Sequence, residues 1–219
     1  MPTSLLQVDP EVYDTPFLRL PEPHSDVIIA APRLWDAEPS VEIMLDRAQG
    51  WITRVKNASD EVLEAMKINE GVFVDGCPVR HIIKLQDNGG HVFIGDVGIS
   101  RSYWADIIDT QERQERLDEN NARPSGDSNI AWQVGYYLSP AYQGRGIMTA
   151  ALRLLISGWA IPMMNAHRIR ATTFHLNEGS KRVLEKNGFV MVGTIEDYKS
   201  IDQEMAALHV LEWRRSGDA

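Results

Sequence analysis

The stretch from Leu138 to Thr149 carries the residues best suited to chemistry. An alternating segment ends at Leu138. Ser139-Pro140-Ala141-Tyr142-Gln143-Gly144-Arg145-Gly146 follows, and a long apolar segment opens at Ile147-Met148-Thr149. A strand, a glycine-rich turn and a helix start in that order aim several backbone N–H groups at one place. The unpaired amides and the positive end of the helix dipole favour an anion there. Glycine lets an oxygen approach the backbone with no Cβ in the way. The spacing is neither G-x-G-x-x-G nor a Walker A loop, since no Gly-Lys-Ser/Thr follows, so those nucleotide-binding modes are disfavoured.

Charge placement points the same way. Between Gln143 and Lys186 lie Arg145, Arg153, Arg168, Arg170, Lys181, Arg182 and Lys186, opposed only by Glu178 and Glu185, in a chain whose net charge is −9. A cationic stretch inside an acidic protein implies a local polyanionic ligand.

The elements that must position these residues are legible from periodicity. Ile130 to Leu138 alternates: Ile130, Trp132, Val134, Tyr136 and Leu138 share one face, and Ala131, Gln133, Gly135 and Tyr137 share the other. Gly135 inside this strand signals a bulge or a close backbone approach. A helix is expected over about 146–164, ended or kinked by Pro162. A strand is expected over 169–176, then a helix from the N-cap Asn177 to the Asn187-Gly188 stop. Strands over 189–194 and 204–213 close the chain. Upstream, 79–85 and 91–100 flank Asp87-Asn88-Gly89-Gly90, a hairpin signal. Helices are expected at 40–55 and 59–68, after a strand at 27–31. Residues 1–25 are proline-rich and read as an extended arm with one short edge strand, 17–20. Residues 101–128 are polar and read as an insertion between strands, a lid or a solvated linker, with a helix over 104–117. The order predicts a single α/β (α+β) domain over 1–219, with helices packed on a mixed sheet.

Composition narrows the function classes. The 219 residues hold 22 Lys+Arg against 31 Asp+Glu, so a general nucleic-acid binder and an anionic-membrane binder are not expected. No apolar run is expected to reach the ~18–20 residues of a spanning helix. The N-terminus has no secretory pattern, and the lone Cys77 fits a reducing, cytoplasmic setting. The six histidines have no metal-ligand spacing, so no metal is expected.

Gln143-Gly144-Arg145-Gly146-Ile147 resembles the acetyl-CoA pyrophosphate loop of the GNAT N-acetyltransferases, whose pattern is Arg/Gln-x-x-Gly-x-Gly/Ala. Tyr137-Leu138-Ser139-Pro140 looks like that family's splayed strand. Asn177-Glu178-Gly179-Ser180, followed by Val183-Leu184-Glu185-Lys186-Asn187-Gly188-Phe189, resembles its second motif, and Ser180 with Leu184 looks like the branch that includes ribosomal-protein N-terminal acetyltransferases. The resemblance covers about Ile130 to Val192. It implies a mostly antiparallel central sheet of about seven strands with helices on both faces. It also implies direct transfer of an acetyl group from acetyl-CoA to a primary amine, on a small molecule or on a protein or peptide.

By the same resemblance, the amides of Gln143, Gly144, Arg145, Gly146, Ile147 and Met148 bind the pyrophosphate, with Thr149 in the first helical turn. Leu138 pairs its backbone with the pantetheine arm, and Asn177 bonds the pantetheine region. Ser180 gives a proton to the leaving thiolate or orients the thioester. Arg145 and Lys181 or Arg182 are candidates for the adenosine phosphates. Two departures stand out: Met148 replaces a small residue of the loop, and Leu184 replaces the tyrosine many relatives use as general acid. Gln133 stands where related sequences often carry Glu, and Gln is no base. The remaining candidates to help the amine lose its proton are His175, Glu196, Asp197 and Asp96. Trp104, Trp132, Tyr136 and Tyr198 are either pocket aromatics or core. A catalytically silent acyl-CoA-binding module and a nucleotide-binding protein are the rival readings. The chain is expected to act as a monomer or a homodimer.

Overall fold

The computed structural model describes residues 7–9, 11–32, 73–77, 79–199 and 205–216. The helices expected at 40–55 and 59–68 lie outside the described residues. Within them the strands are β1 (Gln7–Asp9), β2 (Tyr13–Arg19), β3 (Val27–Ala30), β4 (His81–Leu85), β5 (His91–Arg101), β6 (Ala131–Leu138), β7 (Arg168–Phe174), β8 (Val190–Lys199) and β9 (Met205–Arg214). They form one sheet in the order β1-β2-β3-β4-β5-β6-β7-β9-β8. Among the described pairings only β6–β7 is parallel. The expected mixed, mostly antiparallel sheet flanked by helices is what forms, with nine strands among the described residues rather than about seven.

The extra strands come from the N-terminal arm. Tyr13 and Phe17 bury against Ile28, Ala30, Ile83 and Phe93 and form a second apolar cluster. That burial recruits all of Tyr13–Arg19 into the sheet, not only 17–20. Pro16 has no N–H to give a ladder, and it falls where the β1–β2 register is irregular, between Asp9↔Tyr13 and Gln7↔Phe17.

The main core lies on the opposite face. All four residues of β3 are buried and alternate between the two faces: Val27 and Ile29 join the main core, Ile28 and Ala30 the second cluster. The main core gathers Trp132 and Val134 of β6 around the long helix α2. This helix runs as Ile147–Leu155, a five-residue π segment Ile156–Ala160 and a last turn Ile161–Met164. Pro162 lacks the N–H that a continuous α-helix needs. The wider π spacing precedes it, and the helix ends two residues later at Met164, with Asn165 as its C-cap in the left-handed region at φ 49°.

Ile147–Met164 spans 18 residues with mean hydropathy 1.5, which is long and apolar enough to cross a membrane. That corrects the expectation that no run reaches this length. Here its apolar side face fills the core: Ala151, Leu152 and Leu155 have no exposed surface. Each fully buried aliphatic side chain contributes about 1.5–3 kcal/mol.

Two local readings are also corrected. The helix in the polar insertion is α1, Thr110–Asn121, not 104–117. Trp104 sits at φ 52°, outside helical space, and the Asp109 side chain caps the helix by accepting from Glu112 N at 2.8 Å. Asn120 then pins the insertion to the start of β6. Its Nδ2 donates to Ala131 O and its Oδ1 accepts from Ala131 N, both at 2.9 Å. The insertion therefore attaches at the opposite end of β6 from the phosphate-loop candidate.

Gly135 pairs regularly with Gly98, and nothing lies within 4 Å of where its Cβ would stand. The close approach is at Gly95, where a Cβ would meet Tyr137 O at 2.4 Å, and the register shift lies beside it in the β4–β5 ladder. The bulge signal belongs to Gly95 of β5, which a single-strand pattern does not reveal.

Candidate active site

The site is built where β6 parts from β7. Ala131–Gln133 pair in parallel with Arg168–Arg170, and there the pairing stops. From Val134 to Leu138, β6 keeps β5 on one side, with Gly95↔Leu138 as the last pair, and among the described residues has no strand partner on the other. β7 continues beside β9 instead. The gap leaves backbone donors and acceptors of β6 open to a ligand that adds as a strand.

A short 3₁₀ turn, Pro140–Tyr142, carries the chain out of β6. Gln143 Nε2 donates to Leu138 O at 2.8 Å and ties the turn back to the strand end. Gly144 and Gly146 take φ 72° and 84°, the left-handed region that costs other residues about 1–2 kcal/mol. Gly146 is the N-cap of α2 and has no side chain to cap it. The first turn closes with Ala150 N to Gly146 O at 3.0 Å. The preceding helical amides, Ile147 to Thr149, have no partner within the helix. The expected glycine turn leading into a helix start is present here.

On the other side of the gap is helix α3, Glu178–Lys186. Asn177 is its N-cap, and its Oδ1 accepts from Ser180 N at 3.0 Å. The structural role foreseen for Asn177 is therefore present, and only its Nδ2 remains to donate to a ligand. Together the two sides enclose a cleft of about 480 Å³. Leu138, Gln143, Gly144, Gly146, Ile147, Met148 and Thr149 line one wall, and Asn177 and Ser180 line the other. Met148 is 6% exposed and packs into the main core, so the bulk of its side chain is absorbed by the core. The charged side chains of the wall are Arg182 and Lys186, one helical turn apart on α3. Among the described residues no carboxylate belongs to that wall, so its charge there is positive.

Several expected residues lie elsewhere. Arg145 is exposed outside the wall, its guanidinium 5.7 Å from the centre of the Tyr142 ring. Lys181 is also outside it, whereas Arg182 is inside. His175 follows β7 and is not part of the cleft. Its backbone N–H donates to Ala207 O at 2.9 Å, and its Nδ1 is buried without a hydrogen-bond partner. Glu196 and Asp197 are exposed on β8, at the far side of the sheet beyond β9. Asp96 is 3% exposed and held by Arg80 through Nε–Oδ2 at 2.8 Å and Nη2–Oδ1 at 2.9 Å. The structure thus brings none of the four candidate bases to the cleft.

Gln133 is buried, its Oε1 accepting from Ser102 Oγ at 3.3 Å and Tyr103 N at 3.4 Å. Trp132 is fully buried. Trp104 stacks on Arg170 at 4.2 Å, and Tyr198 faces Phe174 at 6.2 Å. None of these three aromatic side chains reaches the cleft.

Two groups in the wall take roles that the sequence alone does not assign. Lys186 was counted only as charge, although its i,i+4 spacing from Arg182 on an amphipathic helix places both on one face. Tyr136, open between pocket and core in the sequence because it shares a face with Trp132 and Val134, is a pocket residue. Beyond the last β7 pairing that face opens, and the Tyr136 hydroxyl meets Ser180 Oγ at 2.8 Å and Ser180 O at 3.0 Å. Burial pushes its phenol up to about 12, against a smaller lowering by the Ser180 hydrogen bond.

Comparison with known proteins agrees with this geometry. Residues 26–190 match the family model described as an acetyltransferase (GNAT) domain. Over 56 residues the chain is 48% identical to the probable N-acetyltransferase YjcK of Bacillus subtilis (strain 168), which is 26% of this chain and 30% of that protein. The match therefore spans about a third of the length of that curated relative.

Among solved structures, the ribosomal-protein-S5-alanine acetyltransferase from Vibrio fischeri superposes with a TM-score of 0.56 at 21% identity, covering 88% of this chain and 94% of that one. Mycobacterium smegmatis RimJ, solved in complex with CoA-disulfide, superposes with a TM-score of 0.55 at 18% identity, covering 90% and 85%. At these identities the superpositions establish the fold. The family match extends from β3 to the first residue of β8 and contains the whole cleft, and on it the chain belongs to the GNAT acetyltransferase family.

Proposed function

We propose that this chain transfers an acetyl group from acetyl-CoA to a primary amine, directly and without a covalent enzyme intermediate. The observation that carries the reading is the cleft itself: an uncapped helix start with two left-handed glycines on one side, Arg182 and Lys186 on the other, and an unpaired strand edge between them. Family membership supports the same reading.

In this proposal the amides from Gly144 to Thr149 hold the diphosphate, and Arg182 and Lys186 neutralise its charge or that of the adenosine phosphate. The free edge of Val134–Leu138 hydrogen-bonds the pantetheine amides as an added strand. Asn177 Nδ2 donates to the same arm. Ser180 faces the sulfur and stabilises charge as the thiolate leaves.

The amine approaches from the other face of β6, across Gly135, which is exposed and has open space where a side chain would stand. In this proposal the amine sheds its proton to water as it enters. The acidic remainder of the chain favours a cationic acceptor. Thiol release from acetyl-CoA, measured over a panel of amines and peptide N-termini, tests the activity. Release above the amine-free rate with at least one acceptor class is expected. Tight binding of acetyl-CoA with no release for any acceptor contradicts it.

A further inference from the structure

Two hydroxyls meet in the cleft, and their geometry says more than either residue alone. Tyr136 comes from the unpaired part of β6 and Ser180 from the first turn of α3. The phenol oxygen lies 2.8 Å from Ser180 Oγ and 3.0 Å from Ser180 O. A phenol has one hydrogen to give, a carbonyl oxygen only accepts, and a serine hydroxyl does both. If the phenol donates to the carbonyl, the Ser180 hydrogen is aimed at the phenol oxygen and is withheld from the cleft. If the phenol donates to Oγ, Ser180 keeps its own hydrogen for a ligand.

The serine backbone is already fixed by the Asn177 cap, so the choice is left to the phenol. Burial keeps that phenol protonated, and therefore a donor, at every ordinary pH. Helix α3 itself carries no tyrosine, and Leu184 is 1% exposed in the core.

We propose that Tyr136 is the positioning residue for Ser180: its phenol donates to Ser180 Oγ and releases the Ser180 hydrogen to bond the thioester sulfur. This rests on the acetyl-transfer reading above. As the amine nitrogen bonds to the carbonyl carbon, the C–S bond breaks and its electron pair passes to sulfur. Ser180 donates a hydrogen bond to that sulfur without losing its proton. The ammonium gives one proton to water before its nitrogen attacks, the nitrogen gives a second to water as the amide forms, the thiolate takes one back from water on release, and both hydroxyls end as they began.

The test needs no acceptor. The full chain is saturated with CoA, and the bound thiol is titrated by the ultraviolet absorbance of its thiolate. Wild type, Tyr136→Phe, Ser180→Ala and the double variant are compared. A donor at the sulfur lowers the thiol midpoint in wild type relative to free CoA. Each single substitution raises the midpoint by the same amount, about one unit or tenfold in the ionisation equilibrium, and the double raises it no further. Calorimetry at a pH well below the midpoints, where the bound thiol is neutral, gives CoA affinities within about threefold of each other for all four proteins.

A wild-type midpoint in Tyr136→Phe overturns the proposal, as does a Tyr136→Phe shift that adds in full to that of Ser180→Ala. An unchanged midpoint in Ser180→Ala overturns it too, because the serine is then not at the sulfur. Absence of CoA binding in wild type is a different failure: it removes the acetyl-CoA reading and this inference together.

Discussion

Gly146 is the position where backbone conformation and ligand binding are most tightly joined. Its φ of 84° is a left-handed conformation, which costs an L-residue about 1–2 kcal/mol. Space is not the obstacle, since an added Cβ would stand 3.6 Å from His24 Nε2, an ordinary contact. Strain alone therefore sets the effect, and it has two outlets. If alanine at 146 holds the left-handed angle, the penalty appears as lost stability. For a chain of this length that is a Tm decrease of about 2–4 °C per kcal/mol. If alanine relaxes the angle, stability recovers, but the amides of the first turn of α2 swing away from the cleft. Binding must then restore them, and CoA affinity falls by about 5- to 30-fold.

The two losses together should equal the conformational penalty. Gly146→Ala, Gly146→Asn and Gly146→Val form the series, read by thermal unfolding and by calorimetric CoA titration. Asparagine tolerates the left-handed region, so it loses least, and β-branched valine loses most. A valine variant that keeps both wild-type Tm and wild-type affinity would refute the assignment of this glycine to a conformational role in the site.

Other substitutions separate the remaining parts of the account. Arg182→Ala and Lys186→Ala should each weaken CoA binding, and the loss should shrink as salt is raised, because exposed charge pairs are screened over about 10 Å at 0.1 M; equal losses at low and high salt would argue against phosphate contacts. Gly95→Ala places a Cβ 2.4 Å from Tyr137 O and 3.0 Å from Leu138 Cα, both backbone atoms that cannot yield, so a loss of about 1–3 kcal/mol in denaturant unfolding is expected. The Tyr136 phenol is raised from 10.0 to about 12 in the fold, so the folded state holds a proton that the unfolded state has lost between those values. Stability should thus fall with rising pH through that window, and Tyr136→Phe should fall less steeply than wild type; parallel curves would contradict the burial of this hydroxyl.

What was legible in the sequence was local. The turn at 143–146, the cap at Asn177 and the stop at Asn187-Gly188 are each read within a dozen residues, and all three stand where expected. What stayed hidden depends on register between distant segments. The end of β6–β7 pairing at Gln133↔Arg170 is decided by how two strands diverge, and no pattern within either strand announces it. Tyr136 and Ser180 are 44 residues apart, and alternation within β6 leaves the tyrosine open between pocket and core. The insertion helix begins later than the expected 104, at the Asp109 cap, because Trp104 takes a left-handed backbone angle that a helix does not admit. The candidate bases were chosen by residue type, and their positions on β5, β8 and after β7 put them out of reach of the cleft.

The central claim is that main-chain donors between Gly144 and Thr149 grip the diphosphate of coenzyme A. A crystal structure of the chain soaked with acetyl-CoA tests it most directly. Diphosphate oxygens are expected at about 2.7–3.2 Å from at least two of those amide nitrogens, with the pantetheine arm along the free edge of Val134–Leu138. Coenzyme bound with its diphosphate elsewhere, and this turn without contacts to it, would contradict the account.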